Sequence, residues 1–161
     1  MNVKSMTRYA MAIAITFLLT AFFQIPALVH TGYINLGDTG VMLAGLFFGP
    51  LGGAIVGALG SSLADLFLSY TVYAPFTFVI KGIQGGLIGY LTHRLSKKWT
   101  ALNLLIGGLW MVIGYIIAES ILYGFSGAIV NIPGNLVQAV VNTILSLILW
   151  RFLSKHKEVI K

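Results

Sequence analysis

The sequence predicts an all-α fold, a six-helix transmembrane bundle with both termini cytoplasmic, and three observations carry that reading. The 161 residues are 58% hydrophobic and only 9% charged, where a soluble domain carries roughly 25% charged residues. Apolar runs of about 20 residues recur, the length that crosses the ~30 Å hydrocarbon layer. Basic residues gather before, between and after those runs, not inside them. The length suits one integral membrane domain, residues 1–161, in a bacterial cytoplasmic membrane.

Four runs are plain: 7–29, 73–93, 101–123 and 133–153. Lys4 and Arg8 ahead of the first resemble a secretory signal, but no small-x-small cleavage site follows, so the first helix is retained. The stretch 39–68 is either one tilted helix or a hairpin turning at Gly49-Pro50. Loop charge favours the hairpin. With it, Lys4, Arg8, Arg94, Lys97, Lys98, Arg151, Lys155, Lys157 and Lys161 all fall on the cytoplasmic side; a single crossing strands Lys4 and Arg8 opposite the rest. Gly-Pro is also a natural helix stop. The outside connections are then 30–38, 69–72 and 124–132, with Asp38 placed to cap the second helix.

Composition excludes several functions. The net charge of +6 lies at membrane boundaries and implies contact with the lipid bilayer, not with nucleic acid. Without Cys there is no thiol nucleophile or Cys-bound metal, and the scattered histidines, His30 and His93 among them, form no metal motif. No phosphate-binding loop is present, so the chain does not itself hydrolyse ATP. No cofactor is called for, and the chain is read as a non-enzyme.

The informative signal is polar residues at helical spacing inside apolar helices. Asn131, Asn135, Gln138 and Asn142 share one face of the last helix, and Tyr115, Glu119 and Tyr123 one face of the fifth. Thr77, Lys81 and Gln84 align on the fourth with Tyr73 a turn above, and Ser61, Asp65 and Ser69 on the third. The inner halves, 102–113 and 144–149 for example, read as almost entirely apolar. The stripes therefore describe a cup opening outward with its floor near mid-bilayer. An ionised Lys81 at that depth costs about 2.5–3.5 kcal/mol on insertion scales and calls for a partner; Asp65 and Glu119 are the candidates. The candidate substrate-binding set is Tyr33, Asn35, Tyr73, Lys81, Gln84, Tyr115, Glu119, Asn135, Gln138 and Asn142, tyrosines for apolar walls and amides and charges for placed contacts.

Tyr33-Ile34-Asn35-Leu36-Gly37-Asp38, Gly49-Pro50-Leu51-Gly52-Gly53-Ala54, Gly57-Ala58-Leu59-Gly60-Ser61, Ala64-Asp65-Leu66 and Ala74-Pro75-Phe76-Thr77-x-x-x-Lys81-Gly82 resemble the substrate-binding (S) components of energy-coupling factor transporters, in the branch for riboflavin, hydroxymethylpyrimidine or pyridoxine. The resemblance implies vitamin capture from outside, with hydroxymethylpyrimidine or pyridoxine ahead of riboflavin, and as partners a membrane coupling subunit and two cytoplasmic ATPases. It also implies that Ala10 and Ala14 on the first helix contact the coupling subunit. From the residues alone, those alanines are a close-packing face. Two other readings stay open: an intramembrane enzyme using Asp65 and Glu119 as acid and base, and a scaffold in which every stripe joins helix to helix.

Overall fold

A computed structural model describes residues 3–26 and 33–155. Helix α1 (Val3–Phe22) leads into a two-stranded antiparallel ribbon, β1 (Gln24–Pro26) and β2 (Tyr33–Asn35), in which Ile25 faces Ile34. Helices α2 (Gly37–Phe67), α3 (Ala74–Arg94), α4 (Thr100–Tyr123) and α5 (Phe125–Lys155) follow, with a short 3-10 turn, Lys97–Trp99, before α4. By length and composition the spans Val3–Phe22, Gly37–Phe67, Lys97–Tyr123 and Phe125–Lys155 can cross a membrane. Helix α3 is the exception because Thr77, Lys81 and Gln84 interrupt its apolar run, and all three are buried.

The packing is that of a membrane protein. Leu102, Leu105, Leu109, Ile113, Ile117 and Ile121 form an exposed apolar stripe on α4, while Asn103, Gly107, Met111, Ala118 and Glu119 face inward. Helix α5 does the same, exposing Val137, Val140, Ile144 and Ile148 and burying Gln138, Asn142 and Ser146. Apolar side chains outside and polar ones inside suit a lipid solvent.

Helix α2 is broken at Gly49, whose φ of 75° is open to glycine and strained for other residues, and Pro50 follows. Its arms, residues 37–48 and 50–67, fold back on each other. A Cβ on Gly53 would stand 2.8 Å from the Gly45 Cα, and one on Gly57 2.9 Å from the Val41 Cγ1. The same glycine face receives α3, where a Cβ on Gly85 would lie 3.2 Å from the Gly53 Cα and closer still to that residue's carbonyl. Small residues let these backbones meet, which is how helices gain packing energy in lipid.

The first arm is short. Residues 37–48 rise roughly 18 Å at about 1.5 Å per residue, well under the ~30 Å apolar layer, so its N-terminus ends inside the bundle. Free amides there have no water to bond, and side chains take its place. Asn35 Oδ1 accepts from the Gly37 amide at 2.8 Å, and Asn142 Oδ1 accepts from the Thr39 amide at 3.0 Å and the Thr39 hydroxyl at 2.7 Å. Asn142 also donates to the Asn35 carbonyl (2.9 Å), while Gln138 Oε1 accepts from the Asn35 amide (3.0 Å). Two α5 amides thus hold β2 and the start of α2 from the side.

Asp38 does not cap α2; it lies within the first turn, and the N-cap position is Leu36, whose side chain makes no hydrogen bond. Its carboxylate instead receives Lys81 Nζ on Oδ1 (2.5 Å) and Gln138 Nε2 on Oδ2 (2.6 Å). The expected partners of Lys81, Asp65 and Glu119, are displaced because α2 starts at the depth of Lys81. The two ionised side chains are 3% and 0% exposed, and the α2 dipole adds a favourable field for the carboxylate.

Other boundaries also differ from expectation. Helix α1 stops at Phe22, not residue 29, where the Gln24 side-chain amide donates to the carbonyls of Thr20 and Ala21 at 3.1 Å each. No outer loop spans 124–132; Gly124, at φ 80°, reverses the chain and α5 runs on through Pro133. Nor are the inner halves purely apolar. Asn103 donates to the Ile88 carbonyl (3.0 Å) and Thr92 (2.9 Å), and Ser146 lies on the Met42 sulfur.

Two outcomes follow for stability in detergent. Gly85→Ala forces backbone apart and should cost about 1–3 kcal/mol, whereas Gly86→Ala, whose Cβ would meet Ala54 Cβ at 3.5 Å, should be near neutral; equal effects would contradict the close packing. Asp38→Asn or Lys81→Met alone should each cost about 3–5 kcal/mol by stranding a buried charge, and the double variant clearly less than their sum. Additive losses in a thermal-unfolding cycle would show that the charges do not interact.

Candidate functional site

The sequence-derived residues separate into two tiers. Asn35, Lys81, Gln138 and Asn142 belong to the network around Asp38 and Thr39, bonded to one another and to the backbone there. They form a floor. Toward the Gly124 end lies a second tier built by α3, α4 and α5. Tyr115 bridges the two: its hydroxyl is 3.0 Å from the Thr77 hydroxyl, and Lys81 Nζ sits 5.4 Å from its ring centroid, in range of a cation–π contact.

One turn above Tyr115 on α4, Glu119 is 5% exposed. Its Oε1 accepts from Asn131 Nδ2 at 3.1 Å, while its Oε2 is buried without a protein partner. Asn135, between Asn131 and Gln138 on α5, likewise has an unpartnered Nδ2. Tyrosines close the outer side. The Tyr73 ring packs 6.1 Å from that of Tyr123 and 6.4 Å from that of Tyr70. Asp65, like Glu119, is only 5% exposed.

Gln84 stands one turn inward of Lys81, fully buried, with neither amide atom bonded. The Tyr33 side chain and His30 lie outside the described residues. Ala10 and Ala14 sit on the exposed face of α1, away from the buried Thr16 and Thr20 that pack on α2. Sequence reasoning passed over Asp38 and Thr39 as site organisers, although Asn35, Asp38 and Thr39 follow one another within a single short turn. Asn131 and Thr77 lay in the stripes but were not singled out as site residues.

Chemically, this is a place for binding. Buried polar atoms nearly always find partners, so the open atoms on Glu119 and Asn135 in the outer tier, and on Gln84 inward of the floor, have capacity to bond a group from outside the chain. Among the described residues no group of three or more His, Asp or Glu side chains comes together to hold a metal.

Comparisons with known proteins agree with this architecture. Residues 1–155 match the family described as ECF-type riboflavin transporter, S component. The chain is 36% identical over 149 residues to the thiamine precursor transporter HmpT of Lactococcus lactis, covering 92% of this chain and 86% of that one. It is 38% identical over 122 residues to an uncharacterized protein of Pyrococcus woesei, covering 75% and 82% of the two chains. In fold it resembles the crystal structure of an S component for biotin from an ECF-type ABC transporter, with a TM-score of 0.65 at 22% identity and 92% of each chain covered. Motifs, buried polar tiers and family match converge: the chain belongs to the membrane-embedded S components of energy-coupling factor transporters, which bind a small vitamin or precursor and work with an ECF module.

Proposed function

We propose that this S component captures a thiamine precursor of the hydroxymethylpyrimidine type from outside the cell. A membrane coupling subunit and two cytoplasmic ATPases then drive uptake. The observation that carries the ligand site is the second tier: buried, tyrosine-walled, and supplied with polar atoms that the protein leaves unbonded. Tyr73 and Tyr115 supply the walls, and Glu119 and Asn135 the placed contacts. Asn35, Lys81, Gln138 and Asn142 form the floor, and β2, which begins at Tyr33, runs into it through Asn35. Gln84 is the first polar group the ligand meets once the floor opens inward.

Six passes with both termini cytoplasmic fit the arrangement. Tyr9 packs on Phe48 at 5.3 Å, and His93 lies against Gly49. The first helix, the Gly49-Pro50 turn and the α3 end therefore share one end, the end rich in Lys and Arg. The opposite end, with Tyr70, Tyr73, Tyr123 and the β-ribbon, faces out.

Riboflavin is the second reading, favoured by the description of the matching family. The open Glu119 Oε2 acceptor and Asn135 Nδ2 donor suit the edge of a single amino-substituted ring. The Lactococcus lactis relative, similar over most of the chain, supports the same choice.

Titration calorimetry on purified protein should show hydroxymethylpyrimidine binding more tightly than riboflavin, and Tyr115→Ala should weaken it roughly tenfold or more through the lost wall. Binding of no vitamin or precursor would remove the transport reading. Ala10→Trp should leave ligand binding intact but reduce copurification with the coupling subunit; undiminished assembly would remove that role from α1.

A further inference from the structure

The described interior carries four ionisable charges: Asp38, Asp65, Lys81 and Glu119. The remaining described basic residues sit near helix ends and loops at the Lys- and Arg-rich end. Asp38 and Lys81 are spent on each other, with Gln138 completing the carboxylate. Turning Lys81 toward a ligand would strand Asp38 at the buried α2 terminus, so its ammonium is not on offer. What flanks the second tier is then Glu119, Asp65 in the last turn of α2 where its carbonyl accepts from the Tyr70 amide at 2.8 Å, and the faces and edges of Tyr70, Tyr73, Tyr115 and Tyr123.

We infer, building on the proposed ligand site, that this recess selects by charge and donor pattern: it takes an amino-substituted nitrogen heterocycle, neutral or cationic, whose N–H edge meets Glu119, and it rejects ligands carrying a carboxylate or phosphate. Glu119 is oriented for this. Asn131 holds Oε1 from the α5 side at 3.1 Å, so the rotation of the carboxyl group is set and Oε2 is left as a buried acceptor. An exocyclic amino group supplies the donor that Oε2 lacks, and a protonated ring nitrogen beside it makes the two-pronged match that carboxylates bind best. Asn135 Nδ2, the open donor nearby on the α5 stripe, serves a ring nitrogen that stays unprotonated. Tyrosine faces favour a planar, electron-poor or cationic ring.

An acid in the same place meets the opposite field. It would face Glu119 and Asp65 with no uncommitted cation in the described interior, and its desolvation would go uncompensated. Glu119 would act as the specificity-determining residue, reading the ligand's amino group.

A ligand series separates this inference from the reading beneath it. The purified full chain is titrated with 4-amino-5-hydroxymethyl-2-methylpyrimidine, its analogue lacking the amino group, and its phosphate ester. The expected result is roughly tenfold to hundredfold weaker binding of the deaminated analogue, the effect of one charge-assisted hydrogen bond in a buried site, and no measurable binding of the ester. Glu119→Gln should weaken binding of the amino compound far more than binding of the deaminated one and so shrink the ratio between them, a selective change that general unfolding would not produce. Equal binding of the two pyrimidines by the unaltered protein, or tight binding of the ester, would overturn the inference while leaving pyrimidine transport standing. Failure of every pyrimidine and vitamin to bind would overturn both.

Discussion

A carboxylate and an ammonium group meet where a helix stops half-way through an apolar layer, and the rest of the molecule is arranged around that meeting. The first arm of α2 is too short to span, so its N-terminal amides and Asp38 are delivered into the interior. Left alone they would carry unbonded donors and an uncompensated charge, each costing several kcal/mol in hydrocarbon. Lys81 from α3 and Gln138 and Asn142 from α5 remove that penalty together. Three elements distant in sequence are thereby joined at one depth. The glycine contacts of α2 and α3 bring the backbones close enough for Lys81 to reach.

This floor explains how polar residues divide their work. Amides bonded to the Asn35 and Thr39 backbone specify where β2 and the start of α2 lie. Any of them that turned to a ligand would release a bond to that segment. Recognition is therefore proposed for the tier above, where Glu119 and Asn135 keep unbonded atoms and the tyrosines offer ring faces. The floor is also the barrier that a captured ligand has to pass. Its bonds run between β2, α2, α3 and α5, so relative movement of those elements loosens it. The buried amides of Gln84 and Asn103 lie on the inward side, giving that half more polarity than hydropathy suggests.

Much of this was legible in the sequence because a polar residue in a membrane helix needs a reason, and reasons repeat every turn. The stripe from Asn131 to Asn142 turns inward as its spacing required, and so do Tyr115 and Glu119 on α4, whereas Tyr123, the last member of that stripe, is 50% exposed. The Gly49-Pro50 turn followed from loop charge and proline chemistry. What was hidden depended on depth. Hydropathy counts apolar residues without saying that residues 37–48 begin inside the bundle, so Asp38 looked like a cap at the surface and Lys81 was matched to the wrong acids. Local competition hid the rest: Gln24 ends α1 early by taking up its carbonyls, and Gly124 reverses the chain so tightly that Pro133 ends up within a helix. Asn103 sat in a run that otherwise read as apolar.

The central claim is a closed ionic floor beneath an acidic, aromatic ligand tier. An experimental structure with hydroxymethylpyrimidine bound tests it most directly. The expected result is the ring between Tyr73 and Tyr115, its amino group on Glu119, and Lys81 still on Asp38. A ligand held by Lys81 with Asp38 released, or seated away from α4 and α5, would contradict it.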